Sequence, residues 1–149
     1  MGLKEETELL QAVPLFATVA PSKLKLLAFT SDFLTFAENE VLFEQGNVGD
    51  SVFVIVSGDA DVVLDTRTGP LTVATLSRHD VVGEIAVLCN MPRTATVRAT
   101  SELTALRMNK SLFSDMVFEF PQVAVEIMRG IALRLENTTT RLGQAVHGV

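Results

Sequence analysis

The sequence has no tryptophan or tyrosine, one cysteine and two histidines among its 149 residues. A lone thiol excludes a disulfide framework, so a hydrophobic core must hold the fold together. Apolar residues make up 48% of the chain and charged residues 20%, which suits a single domain spanning residues 1–149. Cys89 lies in an apolar run, and we expect it to be buried as a small hydrophobic side chain.

Basic residues are also scarce. There are 12 Lys and Arg against 18 Asp and Glu, which gives a formal net charge of −6. No Lys/Arg cluster is visible, and binding to a nucleic-acid backbone needs a basic face. We therefore expect no direct nucleic-acid binding by these residues, and any bound anion must be held locally by a few groups.

Long apolar runs are missing too. No uninterrupted run approaches the ~18–20 residues that a membrane-spanning helix needs. The opening residues, "MGLKEETELLQ", are polar and acidic, unlike a secretory signal peptide. We expect a cytoplasmic protein, or the cytoplasmic part of a membrane protein.

The chain also lacks the residue patterns of catalysis. Neither His79 nor His147 has the spacing of a metal site or a catalytic triad. No second carboxylate near Glu84 suggests acid–base chemistry. We expect no catalytic residues, no bound metal and no cofactor.

Short strand-like runs fill the centre of the chain, with helical segments at both ends. Residues 3–30 are predicted to be helical, with a break before Pro14 and a new first turn at Pro21. Between residues 32 and 109, about eight β-branched and aromatic runs alternate with turn residues. Gly46, Gly49, Gly58 and Gly69 are interpreted as turn residues. The pattern predicts a mainly β fold flanked by helices, with the spacing of an antiparallel sandwich or a jelly roll; of the two we expect an eight-stranded antiparallel jelly-roll barrel.

Helical spacing returns at residues 110–142. Asn109 or Ser111 is placed to begin one helix, which ends before Pro121, where a second helix begins. The second helix has an apolar stripe, which we expect to pack against the barrel: Val125, Met128, Ala132, Leu135 and Leu142. Gly130 marks a candidate bend. The alternative is that the stripe forms a homodimer.

One stretch, "GEIAVLCNMPRTATV" at residues 83–97, carries the candidate chemistry. Glu84 to Leu88 are predicted to form a short helix between two strands, and the first N–H groups of such a helix attract anions. Arg93 emerges close by and can fork across two phosphate oxygens. Glu84 can accept hydrogen bonds from a sugar hydroxyl, while Ala86 and Ala95 let a ligand approach the backbone. The alternative is that Glu84 and Arg93 form an ion pair with each other at the surface and bind no ligand.

The same stretch resembles the phosphate-binding cassette of the cyclic nucleotide-binding domain family. That family has Gly-Glu-aliphatic-Ala, then several residues, then Pro-Arg-Ser/Thr/Ala-Ala. The matching positions follow in order and spacing: Gly83, Glu84, Ile85, Ala86, Pro92, Arg93, Thr94 and Ala95. The resemblance extends to "VLFEQGNVGDSVFVIVSGDADV" and to the trailing helices, which together cover nearly the whole chain.

The resemblance implies a ligand and a role for each matching residue. Arg93 would bind the cyclic phosphate together with the N–H groups of Ala86 and Thr94. Glu84 would take the ribose 2′-hydroxyl near the N–H of Gly83. The ligand is expected to be cAMP or cGMP, with cAMP favoured slightly, because the Thr94 hydroxyl suits a guanine but also occurs beside adenine.

The final helix is expected to close over the base. With no Trp or Tyr available, Arg134 and Leu135 are the candidate lid residues. The resemblance thus implies a regulatory sensor whose C-terminal helix moves on ligand binding and controls an effector outside these residues. Two alternatives remain: an interaction or dimerisation module with a degenerate pocket, and the sensor half of a transcription factor without its DNA-binding part.

Overall fold

The computed structural model describes residues 2–147, except for the side chains at positions 138, 141, 142 and 144–147. Along the chain, helical segments precede and follow a β region. Its elements in chain order are α1 (Leu3–Gln11), a 3-10 turn (Pro14–Phe16), α2 (Pro21–Thr30), β1 (Asp32–Phe36), β2 (Val41–Phe43), β3 (Ser51–Ser57), β4 (Ala60–Thr66), β5 (Gly69–Leu76), β6 (Val81–Val82), α3 (Glu84–Leu88), β7 (Thr96–Ala99), β8 (Leu103–Asn109), α4 (Lys110–Glu119) and α5 (Pro121–His147).

The eight strands form two antiparallel four-stranded sheets. One has the order β1-β8-β3-β6 and the other β2-β7-β4-β5. The predicted eight-stranded antiparallel jelly roll is confirmed, but the predicted closure into a barrel is wrong. Within the described residues no strand of one sheet pairs with a strand of the other, so the sheets face each other across side chains rather than sharing hydrogen bonds.

Strand β3 explains where the core lies. Val52 and Val54 pack with the helices, whereas Phe53 and Ile55 pack between the two sheets. Side chains alternate across a strand, so β3 is buried on both faces, and its sequence "SVFVIVS" is apolar almost throughout. The first sheet therefore packs against the helices on one face and against the second sheet on the other.

The helix boundaries follow local signals in the sequence. The Asn109 side chain accepts a hydrogen bond from the N–H of Leu112 at 2.9 Å, so Asn109 rather than Ser111 begins α4. Pro121 is the first residue of α5. Proline fits the first turn of a helix because its missing N–H would have no intrahelical acceptor there.

The buried side of α5 differs from the predicted stripe. Val123 and Ile127 are buried, with Ile131 partly buried behind them. By contrast, Met128 is 62% exposed and Leu135 66% exposed. Val125 and Ala132 are exposed as well, and the Leu142 side chain lies outside the described residues. The expectation that the stripe packs against the sheets is wrong, because the helix turns its Val123–Ile127–Ile131 row toward the core.

Three other local expectations need correction. Cys89 is exposed rather than buried, because it lies at the end of α3, where the chain leaves the core. Gly46, Gly58 and Gly69 have positive φ as turn residues do, but Gly49 does not. A β carbon on Gly49 would lie 2.3 Å from the Ala86 β carbon, so close packing against α3 explains this glycine. Gly130 does not interrupt α5.

Two classes of feature are absent from the described part of the chain. None of its helices combines the length and the hydropathy needed to cross a bilayer. Residues 2–147, within the limits of their described side chains, also contain no group of three or more His, Cys, Asp or Glu able to hold a metal ion.

Gly130→Ala should raise the free energy of unfolding by about 0.5–1 kcal/mol, because alanine loses less backbone entropy in a helix and nothing lies within 4 Å of the added β carbon. Gly58→Ala is the contrasting control, since φ is +88° there and the new β carbon would lie 2.3 Å from the Glu102 carbonyl oxygen. Urea denaturation measures both. A Gly130→Ala protein less stable than the parent would contradict the continuous helix.

Candidate ligand-binding site

The segment predicted to bind the ligand crosses from one sheet to the other. Strand β6 of the first sheet ends at Val82, and Gly83 then turns the chain into α3 with φ of +91°. After α3, Asn90 has φ of +52°, and the chain continues through Arg93 into β7 of the second sheet. The two ends of this segment are therefore anchored on different sheets and face the same space between them.

That space is a cavity of about 330 Å³. Its walls include all seven predicted site residues: Gly83, Glu84, Ile85, Ala86, Arg93, Thr94 and Ala95. Both candidate lid residues of α5, Arg134 and Leu135, line it as well. Most of the remaining wall is apolar and comes from β2, β4, β5 and β7. The structure thus brings every predicted site residue to one cavity.

The Arg93 side chain is held inside the protein and is only 4% exposed. Its Nη1 donates to the Gly83 carbonyl at 2.8 Å, and its Nη2 donates to the Ser51 carbonyl at 2.7 Å. The guanidinium carbon lies 4.1 Å from the centroid of the Phe43 ring. Two carbonyls and one aromatic face therefore fix the guanidinium plane.

No acidic side chain of the described residues lies within ion-pair distance of Arg93. Its Nε is buried without a hydrogen-bond partner. Burial lowers the pKa of Arg93, and the charges of Asp50 and Glu84 oppose that shift from a distance. Because a buried cation without a counterion is costly, this arrangement favours the entry of an anion.

Glu84 is also buried, at 4% exposure, and its partner comes from α5. Arg134 Nη1 donates to Glu84 Oε1 at 2.7 Å, and Arg134 Nη2 donates to the Val81 carbonyl. The second carboxylate oxygen, Oε2, is buried with no partner. Burial raises the pKa of Glu84, and the Arg134 charge opposes the rise. A surface pair between Glu84 and Arg93 is therefore not what the structure contains.

Arg134 contacts Glu84, the residue that the family resemblance predicts to bind the ribose, and this contact could not be predicted from the sequence. Leu135 lines the cavity while remaining largely exposed to solvent. The closure of these two side chains over a base stays a prediction. The contact with Glu84 nevertheless ties α5 directly to the cavity.

Sequence reasoning missed the residues that support Arg93 from the β2–β3 side. Phe43 and Ser51 contact its guanidinium. The intervening turn holds its backbone: the Arg93 N–H donates to the Asn47 carbonyl at 2.8 Å, and Gly46 N–H donates to the Arg93 carbonyl at 2.9 Å. The signal available in the sequence is "GNVGD" at residues 46–50, but an interpretation of its glycines as turn residues does not connect this turn with Arg93.

A larger cavity of about 470 Å³ lies between α5, β5 and the 3-10 turn, and it shares Glu84 and Arg134 with the first. Its two arginines and Asp80 already have partners. Arg129 pairs with Glu126, Arg134 pairs with Glu84, and the Asp80 carboxylate accepts from the N–H of Ser77. The smaller cavity is the better candidate site because it holds the unpaired guanidinium.

The sequence matches the family model described as "Cyclic nucleotide-binding domain" over residues 33–120, more than half of the chain. The chain belongs to the cyclic nucleotide-binding domain family. The matched residues include both sheets, α3 and Arg93, so the family assignment and the cavity concern the same part of the molecule.

Two curated relatives illustrate the range of proteins that contain this domain. A cAMP-dependent protein kinase regulatory subunit of Mycosarcoma maydis is 33% identical over 109 residues, covering 73% of this chain and 21% of its own. A CRP-like cAMP-activated global transcriptional regulator of Mycobacterium tuberculosis is 25% identical over 142 residues, covering 93% of this chain and 62% of its own. The chain thus spans less than two thirds of either relative.

Solved structures support the fold. The structure described as cAMP-bound PfPKA-R (141–441) superimposes with a TM-score of 0.82 over 95% of this chain and 47% of that chain, at 20% identity. At such identity the agreement concerns the fold alone.

Replacing Arg134 by Gln should raise the pKa of Glu84 further, because burial remains while the nearest cation is lost. The folded carboxyl then holds its proton at higher pH than the unfolded one, so stability should fall more steeply as pH rises above the ordinary value of 4.5. A ¹³C NMR titration of the Glu84 carboxyl carbon measures the shift. Arg129→Gln, whose partner is Glu126, is the matched control. An unchanged Glu84 titration in Arg134→Gln would contradict the ion pair.

Proposed function

We propose that this chain is a regulatory sensor domain that binds a 3′,5′-cyclic nucleotide in the 330 Å³ cavity. The main support is the buried Arg93 guanidinium, which has no acidic partner within ion-pair distance among the described residues and has an unpartnered Nε. A cyclic phosphate carries one negative charge, which would balance the positive charge of this guanidinium. The N–H groups of Ala86 and Thr94 complete the phosphate site in this proposal, as the family resemblance implies.

The ribose is assigned to Glu84. Its Oε1 is engaged by Arg134, whereas Oε2 is buried and has no partner. A 2′-hydroxyl donating to Oε2 would satisfy this atom without displacing the arginine. Because an unsatisfied buried acceptor is costly, a hydrogen bond from the 2′-hydroxyl to Oε2 would contribute to the affinity for the ligand.

The base is assigned to the apolar part of the cavity below α5. Ile131 and Leu135 of α5 and Val62 and Val73 of the second sheet line this part. We favour cAMP over cGMP, because adenine presents fewer polar groups to such a wall. Thr94 also lines the cavity, and its hydroxyl is the group available to a guanine.

Helix α5 would transmit the signal. It contributes Ile131, Arg134 and Leu135 to the wall of the cavity, so a ligand contacts α5 and the sheets together. A ligand that binds the docked arrangement better than an undocked one shifts the population toward the docked helix. The controlled effector, which lies outside these residues in this proposal, responds to the position of α5. Binding, without turnover of the nucleotide, is the activity proposed here.

Arg93→Ala should weaken cAMP binding by about 2–5 kcal/mol, because the phosphate loses its charged partner in a site shielded from water. Isothermal titration calorimetry measures the affinity, with thermal unfolding to verify that the variant folds. Arg98→Ala is the matched control, an exposed arginine five positions along, on β7, and should bind as the parent does. Equal affinity in Arg93→Ala and Arg98→Ala would place the phosphate elsewhere.

Removing the ligand's 2′-hydroxyl tests the ribose assignment. The deoxy analogue 2′-deoxy-cAMP should bind more weakly than cAMP by about 1–3 kcal/mol, because Glu84 Oε2 stays unsatisfied. In Glu84→Gln the difference between the two ligands should shrink. The same titrations with cGMP test base preference, and tighter binding of cGMP than of cAMP would overturn the preference proposed here.

The exposed stripe of α5 supports a second candidate function, a homodimer through that helix. Val125, Met128, Ala132 and Leu135 recur at alternating spacings of three and four residues, which is the pattern of a coiled-coil seam. All four are exposed, Met128 and Leu135 more so than Val125. Val125, Met128 and Ala132 of this seam lie outside the core-facing row of α5, whereas Leu135 belongs both to the seam and to the wall of the cavity.

Sedimentation equilibrium over a concentration series tests the dimer. The parent chain should associate, and Met128→Lys should remain monomeric, because a charge at the seam cannot be buried without a partner. Phe118→Lys is the control, since Phe118 is exposed on α4 rather than on the stripe. A parent chain that stays monomeric at every concentration would contradict this second function.

A further inference from the structure

The Phe43 ring is the aromatic surface on which Arg93 lies. The guanidinium carbon is 4.1 Å from the ring centroid. The Phe43 ring also packs against Phe53, with ring centroids 5.8 Å apart and an angle of 36° between the ring planes. Phe53 belongs to the core between the sheets, so the Phe43 ring is backed by a buried side chain.

The Arg93 guanidinium has two requirements that conflict: its buried charge must be stabilised, and an anion must still be able to reach its N–H groups. Before a ligand arrives, a buried cation needs stabilisation. A carboxylate would supply it, but it would also neutralise the charge and occupy the in-plane N–H groups that an anion must reach. An aromatic face attracts a cation through its quadrupole, carries no net charge and contacts the guanidinium face, so it occupies none of the in-plane donors. Of these donors, Nη1 and Nη2 donate to carbonyls and Nε–H has no acceptor.

We propose that Phe43 is a positioning residue for ligand binding: its ring stabilises the Arg93 cation and orients its plane so that Nε–H stays available to an anion. This inference rests on the proposed function of the cavity. It explains the two observations that Nη1 and Nη2 donate to carbonyls while Nε is buried and unpartnered.

A purely structural role for Phe43 is the competing explanation, since the ring also contacts Phe53 and lines the cavity. Truncation would disturb both roles together. Fluorination separates them, because fluorine atoms withdraw charge from the ring face while changing its size little. Stabilisation of the cation should therefore decrease with each added fluorine, whereas packing should change little.

The decisive experiment incorporates phenylalanine, 4-fluoro-, 3,5-difluoro- and pentafluorophenylalanine at position 43 of the full chain. The expected result is a stepwise loss of cAMP affinity, reaching about tenfold for the pentafluoro ring. Phe36 is the matched control: its ring packs on Phe53 at 6.4 Å but does not stack on the guanidinium. The same series there should leave the affinity unchanged. A flat series at position 43 overturns the proposal.

A second measurement needs no nucleotide. The ¹⁵N–¹H resonance of Arg93 Nε in the free protein reports both the ring current of Phe43 and the mobility of the guanidinium. In Phe43→Leu this resonance should move and broaden, and in Phe43→Trp it should stay sharp. An Arg93 signal unaffected by Phe43→Leu contradicts the inference. Should the parent chain bind no cyclic nucleotide, the proposed function fails, and this resonance alone decides the role of Phe43.

Discussion

The site depends on one uncompensated charge. Arg93 is a buried cation held by the carbonyls of Gly83 and Ser51 and by the face of Phe43. Carbonyls and rings stabilise a guanidinium without neutralising it. A chain with an overall charge of −6 therefore keeps a positive centre inside a cavity that also contains the paired charges of Glu84 and Arg134 and whose remaining wall is mostly apolar. An anion supplied from outside is the counterion that this centre lacks.

The architecture follows from the need to keep that centre in place. Ser51 begins β3 of one sheet, Phe43 ends β2 of the other, and Gly83 precedes α3. Arg93 thus contacts both sheets and the short helix. The turn around Asn47 fixes its backbone through two hydrogen bonds. Because these contacts come from rigid elements, the guanidinium is positioned before any ligand arrives, which lowers the entropic cost of binding.

Glu84 gives the cavity its link to α5. Its burial makes the charged form costly, and Arg134 offsets part of that cost. The helix is therefore tied to the cavity by an ion pair whose acceptor has one oxygen still free. In the proposed function, this contact would make the docked position of α5 depend on what occupies the cavity, as a sensor domain requires.

The sequence by itself determined the strand-rich centre, a helix beginning at Asn109 or Ser111 and the residues of the cassette, because turn chemistry, capping and motif spacing are local; the structure selected Asn109. It did not determine which side of α5 is buried, since two apolar rows run along that helix and only packing against the sheets selects one. It also did not reveal that Phe43 contacts Arg93 or that Arg134 pairs with Glu84. Those contacts join residues about fifty positions apart, and such proximity arises only when the sheets and α5 pack together.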